Sequence, residues 1–172
     1  MIRFTYLVHG EGPVSGTAKL AFTKEHRGPV IFWNITSRCN LACAHCYIRS
    51  GLGQRRKDEL TTDEAMTLID DLAAADVPLL LFTGGEPLMR GDFWDLAEHA
   101  RDRGISASLS TNGTLVTPGV AQRLQDVGIG YTGISLDGAT AATHDAFRGV
   151  PGSFDRSVQA LKNCIDMGIR CG

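Results

Sequence analysis

Short apolar runs alternate with longer amphipathic stretches from residue 30 to the end of the chain. The first run, residues 30–36, is rich in β-branched and aromatic side chains, which predicts a buried β-strand. Similar runs follow, and a stretch with helical periodicity separates each run from the next. The pattern predicts strands over residues 30–36, 78–83, 105–110 and 131–136, and helices over residues 61–73, 92–101, 118–127 and 154–167.

The ends of the predicted helices carry local signals. Thr61 or Thr62 is placed to cap the first helix, and acidic residues follow directly after it. Gly104, Gly128 and Gly168 lie just past the ends of three helices, where a left-handed residue commonly closes the last turn. These signals separate the helices from the strands that follow them.

Four βα units in succession predict an α/β fold with a parallel sheet and helices packed outside it. Both a (β/α) barrel and an open doubly wound sheet satisfy the rule of right-handed crossovers. Residues 169–171 are expected to open a fifth strand, and a complete barrel takes about 250 residues. We therefore expect a fragment that lacks the C-terminal half of its domain, with a leader over residues 1–29, including a short helix near 17–25, and a core domain over residues 30–172.

Composition argues against several classes of function. The chain has 172 residues, 43% of them hydrophobic and 21% charged, and its net charge of −2 gives no electrostatic basis for binding nucleic acid or an anionic membrane. No apolar run is long enough to span a bilayer. The N-terminus is too short and too polar for a signal peptide. We therefore expect a cytoplasmic protein without nucleic-acid or membrane partners.

Three of the five cysteines, Cys39, Cys43 and Cys46, are crowded into one stretch directly after the first predicted strand. An odd number of cysteines with this crowding is a poor disulfide framework and is more typical of a metal or redox site. Three thiolates leave one position of a four-ligand site open, as catalytic metal sites do. The alternatives are a zinc site completed by the intervening histidine or another residue, and three incidental thiols. Cys164 and Cys171 are expected to be buried structural residues, with ligation of an auxiliary cluster as the alternative.

Glycine-rich or polar segments also follow the other three predicted strands. They are Gly-Gly-Glu-Pro at 84–87, Ser-Thr-Asn-Gly at 110–113 and Ser-Leu-Asp-Gly at 135–138. Because parallel strands bring their carboxyl ends to one edge, these segments and the cysteine loop are expected to meet where α/β enzymes hold their ligands. A turn is the alternative interpretation of the serines, asparagine and aspartate in the last two segments.

The C-x3-C-x2-C spacing, followed by Gly-Gly-Glu-Pro after the second strand, resembles the radical S-adenosylmethionine (SAM) superfamily over residues 30–171. The resemblance implies a partial (β/α) TIM-like barrel of the radical SAM type, truncated after the fourth βα unit. It also implies that Cys39, Cys43 and Cys46 hold a [4Fe–4S] cluster whose remaining iron binds the amino and carboxylate groups of SAM. The further residues that it assigns to SAM are His45 against the adenine, Gly84, Gly85, Glu86 and Pro87 at the methionine amino group, and Ser110, Asn112, Ser135 and Asp137 at the carboxylate and ribose.

The reaction implied by this resemblance is the reductive cleavage of SAM. A reduced ferredoxin or flavodoxin-like donor supplies an electron, and a 5′-deoxyadenosyl radical then abstracts hydrogen from a substrate C–H bond, so the cofactors carry the chemistry. The competing hypothesis is an iron–sulfur electron-transfer module that does not use SAM. The Gly-Gly-Glu-Pro segment argues against this hypothesis, because an electron carrier does not need it.

The sequence around the motifs narrows the choice of substrate. Residues 32–41, 110–115, 133–138 and 144–149 resemble radical SAM enzymes of tetrapyrrole pathways, such as the haem d1 synthesis enzyme and didecarboxysiroheme deacetylase. Peptide maturases with a C-terminal SPASM domain share many of these segments. The resemblance therefore implies a tetrapyrrole substrate in haem or haem d1 biosynthesis, with a peptide substrate as the alternative.

Two polar groups outside the motifs have both a structural and a functional interpretation. His144, Asp145 and Arg148 predict a capped loop with an internal Asp–Arg pair ahead of the fourth helix, or else a wall of the substrate pocket. The basic residues 55–57 are interpreted as a solvated loop, with a contact to substrate carboxylates as the alternative.

Overall fold

The computed structural model describes residues 28–53 and 58–172. This part of the chain forms strands connected by helices, as the alternating pattern predicts. The strands are β1 (Val30–Asn34), β2 (Leu79–Thr83), β3 (Ser106–Thr111) and β4 (Ile129–Ile134), and the helices are α1 (Thr62–Ala74), α2 (Phe93–Asp102), α3 (Pro118–Asp126), α4 (Ala141–Arg148) and α5 (Ser153–Asp166). A short 3-10 turn, Pro87–Met89, precedes α2.

The strands form a single parallel sheet in the order β1-β2-β3-β4. An open doubly wound sheet reverses its strand order at a switch point, whereas a barrel keeps its strands in sequence order. The observed order therefore favours the barrel arrangement over the open sheet. Thr132 of β4 also forms an isolated parallel bridge with Cys171, so the chain after α5 runs beside β4 as a fifth strand would.

The hydrophobic core lies between the helices and one face of the sheet. Along β2, Leu80 and Phe82 are completely buried, whereas Leu79 and Leu81 on the other face are only partly buried. Phe93 of α2 packs edge-to-face on Phe82, with 5.6 Å between the ring centroids. Full burial of such a side chain contributes about 1.5–3 kcal/mol, so this face holds the helices against the sheet.

Strand β1 differs from the prediction of a buried strand. It ends at Asn34, and within the described residues it pairs with β2 alone. Trp33 packs against Phe82 at 6.2 Å between ring centroids, but Phe32 is 70% exposed. The prediction of a buried strand is therefore wrong for the face of β1 that carries Phe32 and Asn34, because apolar composition does not reveal which face the core covers.

The helix ends confirm the expected local signals. Thr61 caps α1 and forms a capping box with Glu64, in which each side chain accepts a hydrogen bond from the backbone of the other. Gly104, Gly128 and Gly168 have φ angles of 78°, 84° and 70°, in the left-handed region that favours glycine. Residues within one turn of each boundary therefore set where these helices begin and end.

Helix α4 differs from the prediction, which places a connecting loop between β4 and α5. Thr140 caps it by accepting a hydrogen bond from Thr143 N, and Gly149 ends it with a φ angle of 72°. The helix is short, and its apolar positions are too few to show a helical period in the sequence. It brings the end of β4 back towards the cysteine loop.

The expected pair between Asp145 and Arg148 does not form. The Asp145 carboxylate accepts hydrogen bonds from Gly152 N at 2.6 Å and Phe154 N at 2.8 Å, and it thereby caps the start of α5. Arg148 pairs instead with Asp137. Asp145 and Arg148 are one helical turn apart, but the side chain of each bonds to a residue outside α4.

Cys164 and Cys171 are completely buried, as expected for structural residues. Burial raises the pKa of Cys164 to about 12, and the nearby Cys171 acts in the same direction. A metal ligand must be a thiolate, so this environment favours the structural interpretation over an auxiliary cluster.

Two expectations fall outside the described residues: the short helix near residues 17–25 and the basic stretch at 55–57. Of the helices within 28–53 and 58–172, none combines the length and apolar character needed to cross a membrane.

Candidate cluster and cofactor site

The loop that carries the cysteines leaves the sheet at the carboxyl end of β1 and is held there by the segment after β2. Gly85 N donates to Thr36 O at 2.7 Å, and Glu86 N donates to Arg38 O at 2.8 Å. A Cβ atom on Gly84 would lie 2.5 Å from Thr36 O, and one on Gly85 would lie 2.3 Å from Arg38 O. The two glycines therefore let the backbone pack directly against the residues ahead of the first cysteine.

Each of the three motif cysteines has an N–H donor directed at its sulfur. For Cys39 the donor is the backbone amide two residues downstream, at 3.5 Å, and for Cys46 it is the amide four residues downstream, at 3.2 Å. The Arg148 guanidinium donates to Cys43 Sγ at 3.5 Å. Such donors stabilise sulfur in its anionic form, which is the form that binds metal.

Cys39 and Cys46 have thiols of different acidity. Cys39 is 6% exposed, and burial raises its pKa despite the hydrogen bonds to its sulfur. At the partly exposed Cys46, burial also acts to raise the pKa, but donors from Ser50, Ile48 and Arg49 outweigh it and leave the pKa below its ordinary value. Cys46 is therefore the more readily ionised of the two.

The donor set fits an iron–sulfur cluster. An iron–sulfur cluster is held by thiolates and is tuned by hydrogen bonds to sulfur, and this loop supplies both.

Helix α4 supports the middle of the cysteine loop. Ala42 N donates to Arg148 O at 3.1 Å, and Ala44 N donates to Phe147 O at 3.0 Å. A Cβ atom on Gly149 would lie 2.6 Å from Ala42 O. The end of α4 and the loop are therefore in backbone contact on either side of Cys43.

Glu86 is the most deeply buried of the residues assigned to the cofactor. It is 0% exposed, and its carboxylate accepts hydrogen bonds from Thr111 Oγ1 and Asn112 N at 2.9 Å and from Leu88 N at 3.2 Å. Burial raises its pKa, and these hydrogen bonds oppose that rise. The carboxylate thereby ties the carboxyl end of β2 to that of β3.

Asn112 lies between Glu86 and the first cysteine. Its side-chain amide donates to Asn40 Oδ1 at 2.9 Å and approaches Cys39 Sγ at 3.8 Å. Its side-chain carbonyl oxygen accepts from Thr114 N at 2.9 Å. The turn after β3 is therefore joined to the cysteine loop by a continuous set of hydrogen bonds.

Asp137 forms an ion pair on the other side of the loop. Its Oδ2 lies 2.5 Å from Arg148 Nε, although the N–H is not aligned for a hydrogen bond. Asp137 N donates to His144 Nδ1 at 3.2 Å. Arg148, which pairs with Asp137 and donates to Cys43 Sγ, thus connects the segment after β4 to the cysteine loop.

The remaining predicted residues are accessible to solvent to different degrees. His45 is exposed and stacks on Phe147, with 4.3 Å between ring centroids and 16° between ring planes. Ser110 and Ser135 are half-buried at the ends of β3 and β4. All the predicted residues lie at the carboxyl edge of the sheet, but Glu86 and Asn112 face the interior, whereas His45 faces solvent.

Sequence reasoning missed Asn40, Glu59 and the contact between Arg148 and Cys43. Glu59 accepts hydrogen bonds from Ser37 N at 2.7 Å and Ser37 Oγ at 2.6 Å, ahead of the first cysteine. Asn40 bonds to residues more than 70 positions away. No local spacing marks such partners, so only the position of Asn40 beside a cysteine offered a signal.

Comparisons with known proteins identify a family and several relatives of this chain. The radical SAM superfamily profile matches residues 33–172. The chain is 47% identical over 153 residues to Fe-coproporphyrin III synthase of Methanosarcina barkeri, covering 89% of this chain and 38% of the relative. It is 43% identical over 144 residues to pre-heme d1 synthase of Dinoroseobacter shibae, covering 84% and 35%, and 44% identical over 136 residues to mycofactocin maturase MftC of Mycobacterium tuberculosis, covering 79% and 34%.

The chain therefore spans less than half the length of these curated relatives. Among solved structures, anSMEcpe with bound AdoMet superposes with a TM-score of 0.68 at 24% identity, covering 83% of this chain and 42% of that chain. This likeness confirms the α/β fold with its TIM-like barrel arrangement. The characteristic cofactors of the matching family are a [4Fe–4S] cluster and SAM. The chain belongs to the radical SAM superfamily.

Proposed function

We propose that this chain is the cluster- and SAM-binding part of a radical SAM enzyme that acts on a tetrapyrrole. The observation that carries the proposal is the cysteine loop, in which three thiols each face an N–H donor. The segment after β2 packs against this loop through two glycines. An electron carrier needs the thiols, but it does not need the further polar segments on the same edge.

Cys39, Cys43 and Cys46 would hold the cluster. When bound, the cluster and SAM would supply the electron and the 5′-deoxyadenosyl radical that abstracts hydrogen from the substrate. The chain's own contribution is to hold the thiolates at fixed positions, to offer N–H donors to their sulfurs, and to keep water away. The electron would come from a reduced ferredoxin or flavodoxin-like donor, and a cytoplasmic location remains a prediction.

The proposed contacts with SAM lie along the carboxyl edge of the sheet. The exposed His45 ring offers a flat face to the adenine, and the polar ends of β3 and β4 offer donors and acceptors to the carboxylate and ribose. Glu86 remains the predicted partner of the methionine amino group, and its buried hydrogen bonds also give it a role in holding Asn112. The full proposed set is His45, Gly84, Gly85, Glu86, Pro87, Ser110, Asn112, Ser135 and Asp137.

The test of the activity is anaerobic reconstitution of the full chain with iron and sulfide, followed by dithionite and SAM. We expect a [4Fe–4S] spectrum and the formation of 5′-deoxyadenosine and methionine. Cys43→Ala is the negative control, and Cys164→Ala is the matched control, because Cys164 is a core cysteine away from the loop. An intact cluster in the wild-type protein with no cleavage of SAM would instead support an electron carrier.

The tetrapyrrole assignment is supported by the relatives named for iron coproporphyrin and haem d1 synthesis. The peptide alternative is supported by the similar identity to the maturase MftC. Titration with iron coproporphyrin III, followed at its Soret band, separates the two. Saturable binding that survives in the cluster-free protein supports a tetrapyrrole site, whereas its absence favours a peptide substrate.

A further inference from the structure

An ion pair between the buried Arg148 and the more exposed Asp137 joins the segment after β4 to the cysteine loop. Arg148 is 8% exposed, and its Nε lies 2.5 Å from Asp137 Oδ2. A guanidinium has five N–H donors, so one carboxylate leaves several of them available for a second anion. Nη1 directs one of these at Cys43 Sγ, 3.5 Å away.

The backbone of Arg148 holds the same part of the loop. Its carbonyl oxygen accepts a hydrogen bond from Ala42 N at 3.1 Å, one residue ahead of Cys43. Its partner Asp137 is oriented in turn, because Asp137 N donates to His144 Nδ1 at 3.2 Å. Main chain and side chain of Arg148 therefore act together on Cys43, and neither contact follows from the spacing of the cysteines.

The Arg148 charge also acts on its surroundings. The buried Glu86 carboxylate feels this cation, which acts to lower the Glu86 pKa. The anionic groups that interact with the guanidinium include Asp137, Glu86 and the thiolate form of Cys43. A cation in a poorly hydrated position beside a ligand sulfur stabilises added negative charge more strongly than one in water would.

We propose that Arg148 is a positioning residue that fixes Cys43 and, with a cluster held there, shifts the one-electron equilibrium towards the reduced form. The electron comes from the external donor or dithionite and adds one negative charge, and no bond to the protein forms or breaks. Hydrogen bonds to ligand sulfur and the local charge are the means by which a protein sets cluster potentials. The inference rests on the proposed function, because it requires a cluster ligated by Cys43.

The test compares Arg148→Gln and Arg148→Lys with the wild-type full chain, reconstituted anaerobically and kept free of SAM. Each protein is poised with mediators at one fixed potential, and the ratio of reduced to oxidised cluster is measured by EPR. We expect Arg148→Gln to lower this ratio about tenfold, the usual size of a charge-assisted hydrogen bond. Arg148→Lys keeps the charge, so its ratio should stay within about threefold of the wild type.

Arg101→Gln is the matched control, because Arg101 is an exposed arginine paired with Asp102 on α2 and has no cysteine partner among its contacts. Its ratio should equal that of the wild type. A purely structural role for Arg148 would lower the cluster content or the melting temperature but leave the ratio per cluster unchanged. An unchanged ratio in Arg148→Gln, or equal changes in Arg148→Gln and Arg148→Lys, would overturn the proposal.

Asp137→Asn provides a second test in case Arg148→Gln retains no cluster. This substitution keeps the size of the side chain and removes the carboxylate that neutralises Arg148, so the ratio should rise. A fall or no change would contradict the proposal. If the wild-type protein itself assembles no [4Fe–4S] cluster, the proposed function fails; if it assembles one and cleaves SAM but the variants behave alike, only this inference fails.

Discussion

Glu86 is a carboxylate that the fold excludes completely from water. It sits between the ends of β2 and β3 and accepts hydrogen bonds from Thr111, Asn112 and Leu88. Burial disfavours the charged form and raises its pKa, while the hydrogen bonds and the Arg148 charge oppose the rise. Protonation of this single carboxylate would therefore change the hydrogen bonds that join the ends of β2 and β3.

The raised pKa of Glu86 makes a prediction about stability and pH. A folded-state pKa above the ordinary value of 4.5 means that the folded protein binds this proton more tightly than the unfolded chain does. The contribution of Glu86 to the free energy of unfolding is therefore fully present below pH 4.5 and is lost as the pH rises through the folded-state pKa. We expect the difference in free energy of unfolding between wild type and Glu86→Gln to fall as the pH rises, measured by urea titrations from pH 4 to pH 7.

Glu64→Gln provides the control with the opposite sign. The backbone hydrogen bond from Thr61 lowers the pKa of the exposed Glu64 carboxyl below 4.5. Its contribution is present above the ordinary pKa and is lost as the pH falls, so the corresponding difference should grow with pH. A difference for Glu86→Gln that does not change with pH would show that Glu86 keeps an ordinary pKa, and a difference that grows with pH, as for Glu64→Gln, would show a lowered pKa.

Helix α4 matters at the scale of elements because its end is docked on the cysteine loop. Two backbone hydrogen bonds join them, from Ala42 to Arg148 and from Ala44 to Phe147. The stack of His45 on Phe147 adds a ring contact at 4.3 Å. The loop therefore takes its shape from a helix that follows it by about 100 residues, and its rigidity should depend on that docking.

Substituting Gly149 tests this docking. Its φ angle of 72° lies in the left-handed region, which is strained for a residue with a side chain. In addition, a Cβ atom at this position would lie only 2.6 Å from Ala42 O. Gly168→Ala is the matched control, because Gly168 has a φ angle of 70° but no atom within 4 Å of its Cβ position. We expect Gly168→Ala to lower the free energy of unfolding by about 1–2 kcal/mol from the left-handed backbone alone.

Gly149→Ala should cost at least about 1 kcal/mol more than the control, since overpacking adds to the backbone penalty. It should also lower the iron content after reconstitution, because the displaced residue adjoins Cys43. Urea unfolding and an iron assay measure the two effects. Equal losses in the two variants would mean that the loop moves aside at no cost.

At the scale of the whole molecule, the parallel sheet determines which strands open most easily. β2 and β3 have a strand on each side, whereas β1 has one neighbour within the described residues. Phe32, on one face of β1, is 70% exposed. Local opening should therefore be easier at β1 than in the middle of the sheet.

Hydrogen exchange followed by NMR checks this expectation on the 172-residue chain. We expect the amides of β2 and β3 that bond to neighbouring strands to exchange at least about tenfold more slowly than those of β1. The amides of α5, which packs over β4 and carries the buried Leu161, should be protected to a similar degree as the central strands. Equal protection of β1 and β2 would indicate that another segment covers β1.

Local features of the chain were predicted from sequence with few errors. The spacing of Cys39, Cys43 and Cys46 marks the cluster loop, and the capping box at Thr61 marks the start of α1. These features depend on residues within one turn or one loop of each other, so the pattern contains what determines them. Helix α4 was missed because eight residues show too little periodicity.

The sequence by itself determined the alternation of strands and helices, the helix ends and the crowding of three thiols in one loop, because each depends on near neighbours in the chain. Only the tertiary structure decided the sequential order of the strands, the exposed face of β1 and the burial of Glu86. It also decided that Arg148, 105 residues from Cys43, would meet that sulfur while pairing with Asp137. Such contacts depend on how the helices pack the sheet, and packing brings together residues whose separation in the sequence carries no signal.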